Sequence, residues 1–174
     1  MANPHFIREF LKHPMRMGTV TQSSVSLARK MAEQINGSAE VIEFGPGTGP
    51  VTVEILKRLP QHGRLICFEI NPEFCRHLAK IPDPRLKIIN DDANNCRQYV
   101  RNIECVVSGL PLALFSKAKR DRILDITSTA KRYIQLQYTP FLSAKIQTYF
   151  PQVKVKFVPK NFPPAFIYIC TSPT

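Results

Sequence analysis

The sequence has no tryptophan and no hydrophobic run near the roughly 20 residues that span a bilayer. Its first residues also lack the unbroken apolar segment of a signal peptide, because Arg8, Glu9, Lys12 and His13 interrupt it. Glycine and proline, 7 and 15 of 174 residues, are too sparse for a low-complexity or fibrous chain. These absences predict one globular domain in the cytoplasm, neither exported by that route nor integral to a membrane.

Cysteine occurs five times, an odd number, and without the spacing of a metal site. The chain has no Cys-x-x-Cys pair and no histidine at zinc-ligand spacing from a cysteine. Nothing in the local sequence would activate one of these thiols as a nucleophile. The pattern predicts buried thiols in a reducing compartment and no bound metal.

Acidic residues are scarce at both ends of the chain, and the net charge of +11 is concentrated there. Residues 1–32 contain five basic residues and one acidic residue, and residues 126–174 contain six basic residues and no acidic one. If the ends meet in the fold, they form one positive face that suits a nucleic acid backbone or an anionic lipid surface. The alternative is a solvated basic surface that maintains solubility.

Seven short runs rich in β-branched and aromatic residues predict strands, at residues 41–44, 65–68, 86–89, 105–107, 133–137, 153–158 and 165–170. Helical patterns separate the first five runs, at residues 51–59, 72–79, 94–100 and 122–130. Alternating strands and helices favour a parallel sheet, whereas the short turn 159–164 between the last two runs requires an antiparallel hairpin. We therefore predict an α/β fold with a doubly wound, seven-stranded, mostly parallel sheet and an antiparallel C-terminal hairpin.

Two N-terminal helices are predicted before the first strand. The first has an apolar face of Phe6, Ile7, Phe10 and Leu11 beside Arg8 and Lys12. The second would be capped by Ser23 or Ser24 and ended by Gly37, with a buried stripe of Leu27, Ala28, Met31, Ala32 and Ile35. We assign residues 1–36 to these helices, as part of the same domain, and residues 37–174 to the core.

A glycine-rich turn follows the first predicted strand and precedes a helix, with the sequence Gly45-Pro46-Gly47-Thr48-Gly49. Glycine lets the backbone approach a ligand closely, and a helix N-terminus offers free N–H groups. A purely structural turn is the alternative, but the position between strand and helix favours a ligand site.

Carboxylates are expected at the same edge of the sheet. Glu43 lies in the first strand, Glu69 follows the second 26 residues later, and Asp91 and Asp92 follow the third. Together they would repel a pyrophosphate, but they would attract a cofactor that has a positive centre and no phosphate. This favours S-adenosyl-L-methionine over NAD, although Asp91 fits a solvated turn equally well.

With these residues the sequence resembles the class I S-adenosylmethionine-dependent methyltransferases, and more closely the small bacterial phospholipid N-methyltransferases. The matching segments are "MGTVTQSSVSLA" from Met17, "EFGPGTGPVT" from Glu43, "SGLPL" from Ser108, "IQLQY" from Ile134 and "NFPPA" from Asn161. The family is also similar to the ribosomal RNA adenine dimethylases. The resemblance implies that the cofactor is bound by Glu43, Gly45, Pro46, Gly47, Thr48, Gly49, Glu69, Ile70, Asp91, Asp92, Ala93, Ser108 and Gly109.

The turn after the fourth strand bears on the substrate. In adenine dimethylases it reads Asn-Leu/Ile-Pro-Tyr/Phe, and the Asn and the aromatic ring hold the extruded base. Here Gly109 and Leu112 stand at those two positions, so a base would lose an acceptor and a stacking platform. We therefore favour methylation of a phosphatidylethanolamine-type lipid amine, with Leu110, Pro111, Leu112 and Tyr138 in contact with the substrate.

Two other functions remain open at this point, ribosomal RNA adenine N6-dimethylation and a non-catalytic, cofactor-binding interaction role. For the favoured reaction, Tyr138 and Ser108 are the candidates to assist loss of a proton from the amine, with His13 as a third. The resemblance implies that the N-terminal segment is a membrane-facing lid, with Phe6, Ile7, Arg8, Phe10, Leu11 and Lys12 at an anionic inner membrane surface. Packing of this face on the protein's own core is the alternative, and no obligate protein partner is inferred.

Overall fold

The computed structural model describes residues 22–159, 161 and 163–172. A seven-stranded sheet forms its centre, with the spatial order β3-β2-β1-β4-β5-β7-β6. The strands β1 to β5 are parallel, and β7 is antiparallel to both β5 and β6. Their bounds are Glu40–Phe44, Arg64–Phe68, Leu86–Ile89, Cys105–Ser108, Arg132–Gln137, Gln152–Val158 and Ala165–Thr171 for β1 to β7.

Helices cover both faces of this sheet. The α-helices α1 to α5 span Gln22–Ala32, Pro50–Leu56, Pro72–Leu78, Lys117–Ser128 and Ser143–Gln147. Short 3₁₀ helices span Glu33–Ile35, Ala93–Gln98, Leu112–Leu114 and Pro140–Leu142. None of the helices in these residues is long and apolar enough to cross a membrane.

Two hydrophobic cores lie on opposite faces of the sheet because strand side chains alternate in direction. One packs α1 and α2 against the sheet through residues such as Met31, Ile55 and Ile134. The other packs α4 and α5 against it through residues such as Ile123, Ile146 and Tyr133. This two-layered cover is what the alternation of strands and helices predicted, and it confirms the doubly wound fold.

The seven strands agree with the predicted runs within one residue at each end. The antiparallel pairing of β6 with β7 is confirmed as well, in the register that joins Phe157 to Phe166. Short apolar runs between breakers are a strong signal because strands buried on both faces need them.

Helix ends were predicted less well. Helix α4 begins at Lys117, five residues before the predicted start, because the Ser116 hydroxyl caps it by accepting the Lys119 N–H at 3.3 Å. Helix α1 already includes Ser23 and Ser24, so neither residue is its N-cap. Its predicted stripe is buried as expected, and the left-handed residues Asn36 and Gly37 follow it. The helix predicted at residues 94–100 is a 3₁₀ helix at Ala93–Gln98, and α5 was not predicted.

Strand β6 is an exposed edge of the sheet. Lys154 and Lys156 lie on the face of α1, whereas Val155 and Phe157 lie on the face of α5 and are 44% and 56% exposed. The Lys156 ammonium donates a hydrogen bond to Gln34 Oε1 at 3.1 Å, just beyond α1. Strand β6 therefore lies beside the 3₁₀ helix Glu33–Ile35 that follows α1.

Candidate active site

The predicted site residues follow the carboxyl ends of four neighbouring strands. The last residues of β1, β2 and β3 are in register, because Phe44 pairs with Phe68 and Phe68 with Ile89. On the other side Phe44 pairs with Ser108, the last residue of β4. The segments that follow these strands therefore line one edge of the sheet, where open α/β folds bind ligands.

The glycine-rich turn adopts the backbone conformation that its sequence predicted. Gly45, Gly47 and Gly49 have φ angles of 67°, 57° and 85°, in the left-handed region that favours glycine. The turn is fixed by the Gly45 N–H, which donates to Phe68 O at 3.0 Å. A Cβ at Gly47 would meet no atom of the described residues within 4 Å, so this part of the turn borders space that is open to a ligand.

Glu43 is a buried carboxyl group directly beneath this turn and is 2% exposed. Its Oε2 accepts hydrogen bonds from Thr52 Oγ1 at 2.7 Å and from Cys67 Sγ at 3.4 Å. Within the described residues no donor reaches Oε1, which leaves this oxygen for a cationic ligand. Burial raises the pKa of Glu43 to about 7, so the ammonium of a bound amino acid would stabilise its charged form.

Glu69 contacts both the glycine turn and its own loop. Its Oε2 accepts the Gly47 N–H at 3.1 Å, and its Oε1 accepts the Asn71 N–H at 2.9 Å. Each carboxylate oxygen keeps a further lone pair, so the group can still accept two ribose hydroxyls. The neighbouring Ile70 is 66% exposed, so its apolar side chain is accessible to the adenine ring of a cofactor.

Asp91 and Asp92 begin the segment after β3. Asp91 accepts hydrogen bonds from Asn95 Nδ2 at 2.9 Å and from the Tyr99 hydroxyl at 2.8 Å, and these partners lower its pKa. Asp92 Oδ1 caps the 3₁₀ helix that starts at Ala93 by accepting the Asn94 N–H at 2.9 Å.

Lys119 of α4 reaches the second oxygen of Asp92. Its ammonium lies 2.8 Å from Asp92 Oδ2 and 4.7 Å from the ring centroid of Phe115. Burial raises the pKa of Asp92, but the N–H of Asn94 and the ammonium of Lys119 lower it by more. Lys119 was not predicted from the sequence, because a lysine in the first turn of a helix does not by itself indicate an ion pair with a distant loop.

The turn after β4 lies against the glycine turn. A Cβ at Gly109 would come within 3.1 Å of Gly45 O, and a Cβ at Gly45 within 2.8 Å of Leu110 Cδ2. Ser108 is fully buried, and its Oγ accepts the Leu110 N–H at 3.3 Å. Ser108 and Gly109 thus lie beside the glycine-rich turn.

Leu112 was expected to form an open wall of the substrate pocket, but the structure places it elsewhere. It is fully buried in the core that also contains Ile123 and Leu124 of α4. The side chain therefore packs beneath the turn, and Leu110 is the leucine that lies against the glycine turn. Pro111, with φ −79° and ψ 70°, connects the two.

Tyr138 directly follows β5 and packs on the core beneath α1 and α2. Burial raises the pKa of its hydroxyl to about 12. The hydroxyl is therefore protonated near neutral pH and can donate or accept a hydrogen bond, but it cannot remove a proton from an amine. The predicted lid residues Phe6 to Lys12 and His13 lie outside the described residues.

Four of the five cysteines are buried as predicted, whereas Cys75 is half-buried. Burial raises the pKa of Cys105 and Cys170 to about 12 and that of Cys96 to about 11, so these groups remain thiols.

Glu43 Oε1, the open space at Gly47 and the Glu69 carboxylate suit the amino acid and ribose portions of S-adenosyl-L-methionine. The residues that would hold this cofactor thus lie together at one edge of the sheet.

Comparisons with known proteins agree with this geometry. The sequence model of the family "Ribosomal RNA adenine dimethylase" matches residues 4–128. An ornithine lipid N-methyltransferase of Singulisphaera acidiphila is 30% identical over 179 residues, which cover 95% of this chain and 93% of that protein.

Solved structures share the fold at low identity. A precorrin-6y C5,15-methyltransferase of Geobacter metallireducens superposes with a TM-score of 0.69 and 15% identity, over 89% of this chain and 90% of that one. The 23S rRNA methyltransferase ErmE superposes with a TM-score of 0.63 and 17% identity, over 84% of this chain and 67% of that one. At such identities these neighbours establish the fold alone.

Proposed function

This chain belongs to the ribosomal RNA adenine dimethylase family of S-adenosylmethionine-dependent methyltransferases, and within that family we propose that it methylates the primary amine of a membrane lipid. Phosphatidylethanolamine is the head group we favour. The amine of an ornithine lipid has the same chemistry, since both are primary amines on a lipid at a membrane surface.

The turn after β4 is the observation that carries the proposal. Gly109 offers no side-chain acceptor to a base, and the contact of 3.1 Å that its Cβ would make with Gly45 O leaves little room for one. Leu112 offers no aromatic ring and is buried. An extruded adenine would lose an acceptor and a stacking partner worth about 1–3 kcal/mol, whereas a flexible lipid amine needs neither.

The similarity to a lipid N-methyltransferase supports this reading. That relative is named for action on ornithine lipid, and the two chains align over nearly their full lengths. The solved rRNA methyltransferase is less than 25% identical, so it bears on the fold and not on the substrate.

Surface composition supports action at a membrane. Val155 and Phe157 are exposed apolar side chains on β6, with Lys154 and Lys156 on the opposite face of the same strand. Phe141, four residues beyond β5, is 79% exposed. Exposed aromatic and apolar side chains beside lysines are suited to the interface of an anionic bilayer.

The chemistry requires positioning more than covalent catalysis. When bound, S-adenosyl-L-methionine would supply a sulfonium methyl group. The lone pair of a neutral amine would form the new N–C bond as the C–S bond breaks and the neutral thioether leaves. Glu43 and Glu69 would orient the amino acid and ribose portions, and the Gly109–Leu110 segment would border the amine. Because Tyr138 keeps its proton, we give it a hydrogen-bonding role in orienting the substrate.

A radiolabelled methyl-transfer assay tests the proposal, with three substrates in parallel. Anionic liposomes containing phosphatidylethanolamine, anionic liposomes containing ornithine lipid, and ribosomal RNA are incubated with the protein and labelled cofactor. We expect label in one or both lipids and none in the RNA. Label in adenines alone would establish RNA methylation instead, and binding of cofactor without transfer to any substrate would favour the non-catalytic role.

A further inference from the structure

One backbone oxygen of the turn after β4 receives three hydrogen bonds. Leu110 O accepts the Leu112 N–H at 2.9 Å, which closes a tight turn around Pro111. It also accepts from Gln135 Nε2 at 2.9 Å and from Gln137 Nε2 at 3.1 Å. Because a carbonyl oxygen has two lone pairs, this atom has no capacity left for an amine of the substrate.

The two glutamines come from the end of β5 and point to the same side of the sheet, since they are two residues apart in a strand. Both are buried, at 0% and 3% exposure. Their amide nitrogens also converge on Leu136 O, at 2.6 Å for Gln135 and 2.7 Å for Gln137. Neither glutamine was assigned a role from the sequence.

A tyrosine fixes the orientation of the first glutamine. The hydroxyl of Tyr133, which is fully buried, donates to Gln135 Oε1. With its oxygen engaged in this way, the Gln135 amide must direct its nitrogen to the opposite side, toward Leu110 O and Ser108 O. The orientation is therefore determined by the core and does not depend on a ligand.

We propose that Gln135 and Gln137 are positioning residues that clamp the Leu110 carbonyl and thereby hold the substrate side of the active site in place. The clamp draws the Leu110 carbonyl inward, and the Leu110 side chain then rests on the glycine turn. A turn with glycine at position 109 has no side chain of its own to fix it, so strand β5 supplies the constraint.

This inference rests on the proposed lipid methylation for its activity readout. Gln137→Leu and Gln135→Leu remove the amide N–H donors and replace each glutamine with an apolar side chain of similar size. Gln147→Leu, at the exposed end of α5, is the matched control. We expect the two clamp variants to lower kcat on lipid about tenfold or more, because small misplacements of reacting groups are costly.

A separate measurement distinguishes positioning from loss of fold. Calorimetric affinity for S-adenosyl-L-methionine without lipid should stay within about threefold in Gln137→Leu, because the Gln137 amide donates to Leu110 O and Leu136 O and, among the described residues, to none assigned to the cofactor. A purely structural role would instead lower cofactor affinity and thermal stability together with kcat.

Gln137→Glu gives a pH-dependent readout. An ionised carboxylate would repel Leu110 O, whereas a protonated carboxyl group donates to it and restores one bond of the clamp. The ratio of variant to wild-type kcat should therefore rise as the pH falls from about 8 to about 6. A ratio that does not change with pH, or falls, would contradict the clamp.

Different results would contradict the proposed lipid methylation and the proposed clamp. If the wild type transfers no methyl group to lipid, the proposed function is wrong. If the wild type is active on lipid and both leucine variants keep their kcat, the clamp is wrong and the function stands.

Discussion

At the scale of single residues, Glu43 links the site to stability. Its pKa rises from 4.5 to about 7 on burial, so the folded chain holds a proton that the unfolded chain releases between these pH values. Stability should therefore fall as the pH rises through this interval, by up to about 3 kcal/mol for this group.

Glu43→Gln removes the titration and should gain stability relative to the wild type as the pH rises from about 5 to about 8. Urea unfolding without cofactor at both pH values measures this gain. Glu73→Gln makes the same change at an exposed side chain and is the control for the loss of a carboxylate. An equal difference from the wild type at both pH values for Glu43→Gln would show that burial does not perturb this carboxyl group.

Gly47 offers a test of the cofactor crevice with a matched control. Gly47 and Gly37 both have positive φ angles, of 57° and 78°, and both border open space. A valine strains the backbone at either position, but only at Gly47 would it occupy the crevice. We expect Gly47→Val to abolish S-adenosyl-L-methionine binding in calorimetry and Gly37→Val to preserve it. Equal affinities of the two variants would argue against this site.

At the scale of elements, the cap of α4 determines where that helix begins. Ser116 accepts the Lys119 N–H, and the same first turn carries the ammonium that pairs with Asp92. Ser116→Ala should lower the free energy of unfolding by about 1 kcal/mol. Ser128→Ala, whose hydroxyl bonds to Asp125 O at the other end of α4, should cost less in the same urea titration.

Strand β6 is the element that we expect to contact the membrane. Phe157→Glu places a charge on its exposed apolar face and should reduce sedimentation with anionic liposomes several-fold. Val53→Glu makes the same kind of change on α2, at a side chain that is 38% exposed, and should leave sedimentation unchanged. Equal losses in both variants would indicate a general charge effect.

Strands were predictable, and so were the starts of α2 and α3, but the start of α4 and the short α5 were not, for a physical reason. Runs such as 65–68 are apolar on both faces because helices cover the sheet on both sides, and this signal is local. The start of α4 depends on a single hydroxyl of Ser116, and α5 has only five residues, too few for a periodic pattern.

At the scale of the whole molecule, the N-terminal segment and β6 are two candidates for membrane contact. Removal of residues 1–14, or Phe6→Glu with Phe10→Glu, deletes the predicted apolar face and should lower liposome binding while the sheet stays folded. Circular dichroism checks the fold. Unchanged sedimentation of the truncated chain would assign the contact to β6 and the basic C-terminal region.

The candidate site was predictable where it depends on one segment. Gly45 and Glu69 directly follow β1 and β2, and Asp92 comes shortly after β3, so the local sequence indicated where they lie in the sheet. The Leu110 clamp joins β5 to a turn about 25 residues earlier, and the Lys119–Asp92 pair joins positions 27 residues apart. Such contacts arise from the register of the folded sheet, so they could not be inferred from spacing.

The lysines of β6 have a consequence for solubility. An edge strand exposes unpaired backbone N–H and C=O groups that can pair with another chain, and charged side chains on the edge oppose this. Lys154 and Lys156 stand on the same strand as the exposed Val155 and Phe157. Neutralising both lysines would leave an uncharged edge with exposed apolar side chains, so the variant should self-associate into β-rich aggregates. We therefore expect these two charges to limit self-association of the protein through this edge.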